Sequence, residues 1–215
     1  MGRQPKTVPS RFASATVASN AACRQRRSRG ISPRHSRARR AAAERRRRVS
    51  GHPNIVILDR DGVINFDSDA YIKTPEEWQP IPGSLDAIGR LCAAGYRVAV
   101  VSNQSGIGRG LLDREVLDRI HEKMIAGVEA AGGHLSGIYF CPHTPDEDCE
   151  CRKPRTALLR RLKTDLDLAT LKGVPVIGDK LADLDLAAAV GARGLLVLTG
   201  KGADTAMLAP IGTEI

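Results

Sequence analysis

Short apolar runs that each break off at a cluster of polar residues constrain this chain more than any other feature. Ile55-Val56-Ile57-Leu58 stops at Asp59-Arg60-Asp61-Gly62, and Tyr96 to Val101 stops at Ser102-Asn103-Gln104. Ile138-Tyr139-Phe140 stops at Cys141 and the polar stretch to Lys153, and Val174 to Ile177 stops at Gly178-Asp179-Lys180. Runs of aliphatic residues without in/out alternation are the mark of strands buried on both faces, and such strands belong to parallel sheets. Helical patterns lie between them. Ser84 to Ala94 carries Leu85, Ile88, Leu91 and Cys92 at helical spacing, with Gly95 as its stop. Asp113 is placed to cap a long helix with the apolar stripe Val116, Leu117, Ile120, Met124 and Ile125, which Gly132-Gly133 ends. Ala157 to Leu166 and Ala182 to Val190 read as further helices, and Gly194 to Leu198 as a fifth strand. Repeated β-then-α order predicts a Rossmann-like, three-layer α/β fold with a parallel sheet between helices. Ligands bind such sheets beyond the carboxyl ends of the strands, where all four polar clusters fall.

The charge is divided unevenly. Of the 33 Lys and Arg, 15 lie in residues 1–50 beside a single acid, Glu44, and the other 18 face 23 Asp and Glu. Residues 1–52 are expected to form a basic, disordered extension, because Arg, Ser and Ala without large apolar side chains cannot offset the entropy of ordering. Its Arg clusters, such as Arg45 to Arg48, fit a nucleic-acid or anionic-surface tail, a transit-peptide-like start, or a solvated extension without function. The last reading is preferred, and nucleic acid is not the expected partner: only Phe12 interleaves the charges. Residues 53–215 form the folded domain. No apolar run reaches the roughly 18 residues of a membrane span, and no apolar segment follows the basic start as in a secretory signal. A cytoplasmic monomer is expected.

Asp59 and Asp61, close to Asp179 in such a fold, would repel one another, and a divalent cation such as Mg²⁺ resolves this. Ser102 supplies a hydroxyl, Asn103 an amide and Lys153 a compact positive charge, a set suited to phosphoryl oxygens. Taken singly, each has an ordinary explanation as a turn, cap or surface residue. Cys141, His143, Cys149 and Cys151 form C-x-H-x5-C-x-C, three cysteines and a histidine within eleven residues. A core cysteine, a disulfide or a free thiol are the alternatives, but the spacing favours a closed structural Zn²⁺ site over residues 141–151. His121 and His134 lack such neighbours and read as surface residues. Residues 65–82 are too few for a large cap domain, which leaves the zinc loop to wall the site and to position Arg152 and Lys153.

Four stretches in this order, VILDRDG (56–62), VVSNQSG (100–106), CRKP (151–154) and VIGDKLAD (176–183), resemble the haloacid dehalogenase (HAD) superfamily of phosphatases across nearly all of residues 54–201. Within it, INFDSDAYIK (64–73), SNQSGIGRG (102–110), CPHTPDEDCECRKP (141–154) and VGARGLLVLTGKG (190–202) resemble the D-glycero-D-manno-heptose 1,7-bisphosphate 7-phosphatases. The resemblance implies hydrolysis of a small sugar phosphate, on the route to ADP-heptose for lipopolysaccharide core or glycoprotein, through an aspartyl-phosphate. It implies Asp59 as nucleophile, Asp61 as general acid and base, and Ser102 and Lys153 as phosphoryl ligands. It implies Mg²⁺ on Asp59, the Asp61 carbonyl and Asp179, with Asp67, Asp69, Tyr71, Asn103, Gln104, Ser105, Arg152 and Lys180 around the sugar. Val63 and Arg155-Thr156-Ala157 depart from the family pattern. Two competing functions remain: a histidinol-phosphate phosphatase, to which the resemblance extends, and a nucleic-acid-binding protein acting through its tail.

Overall fold

The computed structural model describes residues 54–215, so the expected basic extension lies outside the described residues. Five strands run parallel in the order β3-β2-β1-β4-β5: β1 Ile55–Leu58, β2 Arg97–Asn103, β3 Leu135–Cys141, β4 Pro175–Gly178 and β5 Arg193–Leu196. The chain builds outward from β1 through β2 to β3, then crosses back to lay β4 on the other side of β1. The order therefore reverses between β1 and β4, and the crevice this opens at the strand ends is where a parallel sheet holds its ligand.

Period-two geometry sorts the side chains into two layers. Ile55 and Ile57 of β1, with Ala99 and Val101 of β2, point to one face. There they meet Leu158, Leu159 and Leu162 of helix α3 (Ala157–Asp165) and Leu186 and Ala187 of helix α4 (Leu181–Ala189). Val56, Leu58, Val98 and Val100 point to the other face, against Ile88 of helix α1 (Ser84–Ala93) and Leu117, Ile120, Met124 and Val128 of helix α2 (Arg114–Ala130). Asp113 caps α2 as expected, accepting from the Val116 amide at 2.8 Å. Residues 65–82 form no separate domain: Ile72 and Trp78 are buried in the second cluster and pin this segment beside the strand ends. Burial of these two side chains is worth roughly 2–3 kcal/mol each.

The strands differ from the sequence reading where polar residues stay in the ladder. β2 runs on through Ser102 and Asn103, and β3 through Cys141, because their main-chain groups pair with one another whatever their side chains are. A short helix, α5 (Gly202–Leu208), was not expected: it covers few apolar residues and so has little periodic signal.

His121 requires a correction. It is buried, not a surface residue, and takes a place in the α2 stripe one turn after Leu117, with its ring 5.6 Å from that of Phe140. Burial lowers its pKa to about 4; Arg60 and Arg114 act in the same direction, against Asp118 and Asp61. The folded protein thus holds His121 neutral where the unfolded chain, titrating near 6.5, takes up a proton. Stability is lost as pH falls below that value, by roughly 2 kcal/mol between pH 7 and 5. His121→Leu should remove this component, and urea unfolding at both pH values measures it. An equal acid sensitivity in wild type and variant would show that His121 does not contribute.

Candidate active site

The cleft at the switch point holds about 190 Å³, the scale of a small-molecule site. The turn after β1 provides its floor. The Asp59 amide still donates to the Ile177 carbonyl of β4 at 2.9 Å, and the chain then doubles back at Gly62 with φ of 84°. A side chain at Gly62 would also collide with Asp179, since a Cβ there would lie 2.2 Å from its Oδ2. A Cβ at Gly200, in the loop after β5, would lie 2.3 Å from the same oxygen.

Asp59 is buried, with Oδ1 accepting from the Arg60 amide at 2.7 Å and Oδ2 lying 2.9 Å from Lys153 Nζ. Lys153 reaches on to Asp183 Oδ1 at 2.6 Å and to the Val101 carbonyl at 2.9 Å. Burial pushes the Asp59 carboxyl up to about 6; Lys153 opposes the rise, and Asp183 and Asp61 add to it. Lys153 is itself buried, yet Asp183 and Asp59 overcome that cost and hold its pKa above the usual value. Asp179 accepts from the Lys201 amide through Oδ2, while its buried Oδ1 has no hydrogen-bond partner; Lys180 Nζ stands 3.7 Å away. Burial raises the Asp179 carboxyl as well.

Carboxylate oxygens of Asp59, Asp179 and Asp183 lie within 4.8 Å of one another. Three buried acids against the single buried Lys153, with one oxygen unpartnered, fit a hard divalent cation such as Mg²⁺. Asp183 is the member that sequence reasoning missed. Its signal was present: it stands four residues after Asp179, at the start of α4 within the same VIGDKLAD stretch.

Asp67, Tyr71, Ser105, Arg152 and Lys180 line the cleft, with Lys180 Nζ bonded to Asp67 at 3.0 Å. Ser102, Asn103 and Gln104 also line it, but their side chains are engaged within the protein. Asn103 Oδ1 accepts from the Lys153 amide at 2.9 Å and its Nδ2 donates to the Lys153 carbonyl at 3.3 Å, so Asn103 holds Lys153 in place. Gln104 bonds Arg60, Asp61 and Ser102. Asp69 and Asp179 are not among the residues that line the cleft: Asp179 is fully buried, and Asp69 is exposed and paired with Lys201 at 2.7 Å. The Asp61 carboxylate receives Arg60, Asn65 and Gln104. Burial works against its charge, but Arg60 and these hydrogen bonds prevail and lower its pKa.

Cys141, His143, Cys149 and Cys151 converge beyond β3. The three sulfurs and His143 Nδ1 lie within 4.8 Å of one another, with Cys141 and Cys149 at 3.5 Å and His143 Nδ1 and Cys151 at 3.2 Å. No disulfide joins them. Tetrahedral Zn²⁺ with about 2.3 Å bonds to sulfur sets the sulfurs about 3.8 Å apart, so this donor set fits zinc with little movement. Arg152 Nη1 donates to the His143 carbonyl at 3.3 Å, which links the loop to the cleft.

The profile of the HAD-hydrolase-like family matches residues 150–214. A D-glycero-β-D-manno-heptose-1,7-bisphosphate 7-phosphatase of Pseudomonas putida is 53% identical over 151 residues, 70% of this chain and 86% of that protein. The like-named protein of Bordetella bronchiseptica is 48% identical over 153 residues, 70% of this chain and 84% of that one. The chain belongs to the heptose-bisphosphate phosphatase family of HAD-like hydrolases. A crystal structure of the B. bronchiseptica D,D-heptose 1,7-bisphosphate phosphatase, complexed with magnesium and phosphate, matches this fold with a TM-score of 0.71 and 46% identity. The match covers 74% of this chain and 90% of that one. The Burkholderia thailandensis family member matches with a TM-score of 0.57 and 41% identity, over 74% and 89% of the two chains.

Gly62→Ala should displace Asp179 and lower phosphatase turnover by at least about 100-fold, the usual effect of ångström-scale misplacement. Steady-state kinetics checks this; turnover within a few-fold of wild type would mean that the Asp179 position is not required.

Proposed function

We propose that this protein removes the 7-phosphate of D-glycero-β-D-manno-heptose 1,7-bisphosphate, carrying the phosphoryl group on Asp59. The array of Asp59, Lys153 and Asp183 beside the unpartnered Asp179 oxygen carries the reading. The names of the relatives support the substrate and its anomer.

In the first step an Asp59 oxygen attacks phosphorus, the bond from phosphorus to the sugar oxygen breaks, and Asp61 gives that oxygen its proton. In the second, water attacks phosphorus, Asp61 takes a proton from the water, and the bond to Asp59 breaks to release phosphate. Ser102 and Lys153 hold phosphoryl oxygens. Mg²⁺, held by Asp59, the Asp61 carbonyl and Asp179, would neutralise charge on the phosphoryl group. Arg152, Lys180, Asp67 and Tyr71 face the sugar end, with Arg152 suited to a second phosphate. Zn²⁺ on Cys141, His143, Cys149 and Cys151 would hold the loop that sets Arg152 and Lys153. The enzyme acts as a cytoplasmic monomer in ADP-heptose formation; among the described residues no helix is long and apolar enough to cross a membrane.

Wild-type protein should hydrolyse heptose 1,7-bisphosphate with a kcat/KM at least about tenfold above that for histidinol phosphate, a difference of about 1.4 kcal/mol in transition-state binding. Asp59→Asn should abolish turnover, and rapid acid quench of wild type should trap phosphate on a peptide containing Asp59. Equal preference for histidinol phosphate would transfer the assignment to that substrate. For the second metal, Cys149→Ser should lower zinc content from about one per chain and reduce activity in a way that Mg²⁺ does not restore. Fully active, zinc-free wild type would remove the structural role of the loop.

A further inference from the structure

Arg60 is only 1% exposed, in a position where a well-packed apolar residue would stabilise the core as well or better. Its guanidinium forms a two-point fork on Asp61, Nε to Oδ1 at 3.0 Å and Nη2 to Oδ2 at 2.9 Å. The same Nη2 donates to Gln104 Oε1 at 2.9 Å. Gln104 Nε2 then donates to Asp61 Oδ2 at 2.9 Å and to Ser102 Oγ at 2.8 Å. Arg60, Asp61 and Gln104 thus close a ring, and Ser102 branches from it. Both polar atoms of the Gln104 amide face into this ring, so its hydrogen-bonding capacity is directed at the protein and away from a sugar. Asn65 Nδ2 adds a further bond to Asp61 Oδ1 at 2.8 Å, so that each carboxylate oxygen receives two donors.

We infer that Arg60 and Gln104 are positioning residues, which set the rotation and reach of the Asp61 carboxylate relative to a phosphoryl group gripped by Ser102 and do not touch the substrate. The inference rests on the two-step reaction above. There Asp61 gives a proton to the sugar oxygen as its bond to phosphorus breaks and the Asp59–phosphorus bond forms, then takes one from the water that displaces Asp59. Each transfer requires an Asp61 oxygen within about 2.6–3.2 Å of the atom that gains or loses the proton. A loose carboxylate would meet that requirement for a small fraction of the time. The ring supplies the constraint for the ionised carboxylate that takes the proton from water, one of its bonds yields when Asp61 carries the proton for the sugar oxygen, and through Ser102 the ring ties the carboxylate to the phosphoryl site.

The test compares wild type, Arg60→Met, Arg60→Lys and Gln104→Leu on heptose 1,7-bisphosphate and on p-nitrophenyl phosphate, whose leaving group needs no proton. Steady-state turnover is measured on both, and the nitrophenolate burst is followed by rapid mixing. Gln104→Leu should lower kcat on the sugar about 10-fold with KM within about twofold, and Arg60→Met about 100-fold. Arg60→Lys, which keeps the charge and loses the fork, should recover part of the loss. In each variant the burst rate should fall less than sugar turnover. Gln104→Leu that raises KM for the sugar with kcat unchanged would make Gln104 a substrate contact and overturn the inference. Unchanged kcat in folded Arg60→Met would do the same for Arg60, and should that variant not fold, Arg60→Lys and Gln104→Leu decide by the same criteria. An error in the substrate assignment appears separately, as wild-type protein active on the aryl ester and inactive on the sugar. The steady-state aryl-ester rate, which includes the hydrolytic half-reaction, then decides: a decrease in the variants supports the ring and an unchanged rate overturns it.

Discussion

The ammonium of Lys153, enclosed by Asp59, Asp183 and the Val101 carbonyl, is the interaction on which the rest of the site depends. A buried cation is costly alone, and so is each buried carboxylate; together they are tolerable, and only when every partner is in place. That mutual requirement explains the neighbouring geometry. Asn103 grips the Lys153 backbone from β2, the Asp59 amide continues the pairing of β1 with β4, and Asp183 enters with the first turn of α4. The end of β1, strand β2 and one helix thus meet at a single charged atom. The arrangement leaves one Asp179 oxygen unpartnered among acids whose charge exceeds that of the lysine beside them. The resting site is electrostatically incomplete in the direction that a hard cation and a phosphoryl group would complete.

A second constraint operates through steric room. Gly62 and Gly200 approach Asp179 from two different loops, each closely enough that a methyl group would overlap the carboxylate. The acid is therefore held by absence of side chains as much as by hydrogen bonds, and its position depends on the turn after β1 and the loop after β5 together. The cysteine and histidine cluster contributes by a hydrogen bond instead, from Arg152 to the His143 carbonyl.

Much of this was legible in the sequence, for a physical reason: strands buried on both faces are apolar without interruption, so the points where they end are sharp. Asp59, Ser102 and Asp179 stand at or just beyond such points, and Lys153 follows the Cys/His loop that begins at the end of β3. What escaped lay where the local pattern is shared by two structural meanings. Asp183 looks like any acid in the first turn of a helix, and His121 like any polar residue on α2, although its spacing from Leu117 put it on the apolar stripe. Gln104 and Asn103 read as groups for a ligand, since nothing in a linear sequence reveals that an amide 43 or 50 positions from its partner is already engaged. Asp69 was drawn in by its neighbours Asp67 and Tyr71, but it lies at the rim with Lys201.

The order of strands across the sheet also has a consequence for synthesis. β1 lies in the middle of the sheet, yet its partner β4 comes only after β2 and β3 have been made, so Asp59 leaves the ribosome 120 positions ahead of Asp179. At about 5–20 residues per second this is an interval of roughly 6–24 seconds. Throughout it Asp59 has neither the acid nor the helix that complete its surroundings. The surroundings of Asp59 are therefore completed only when β4 and α4 dock on the sheet, as a property of the closed sheet.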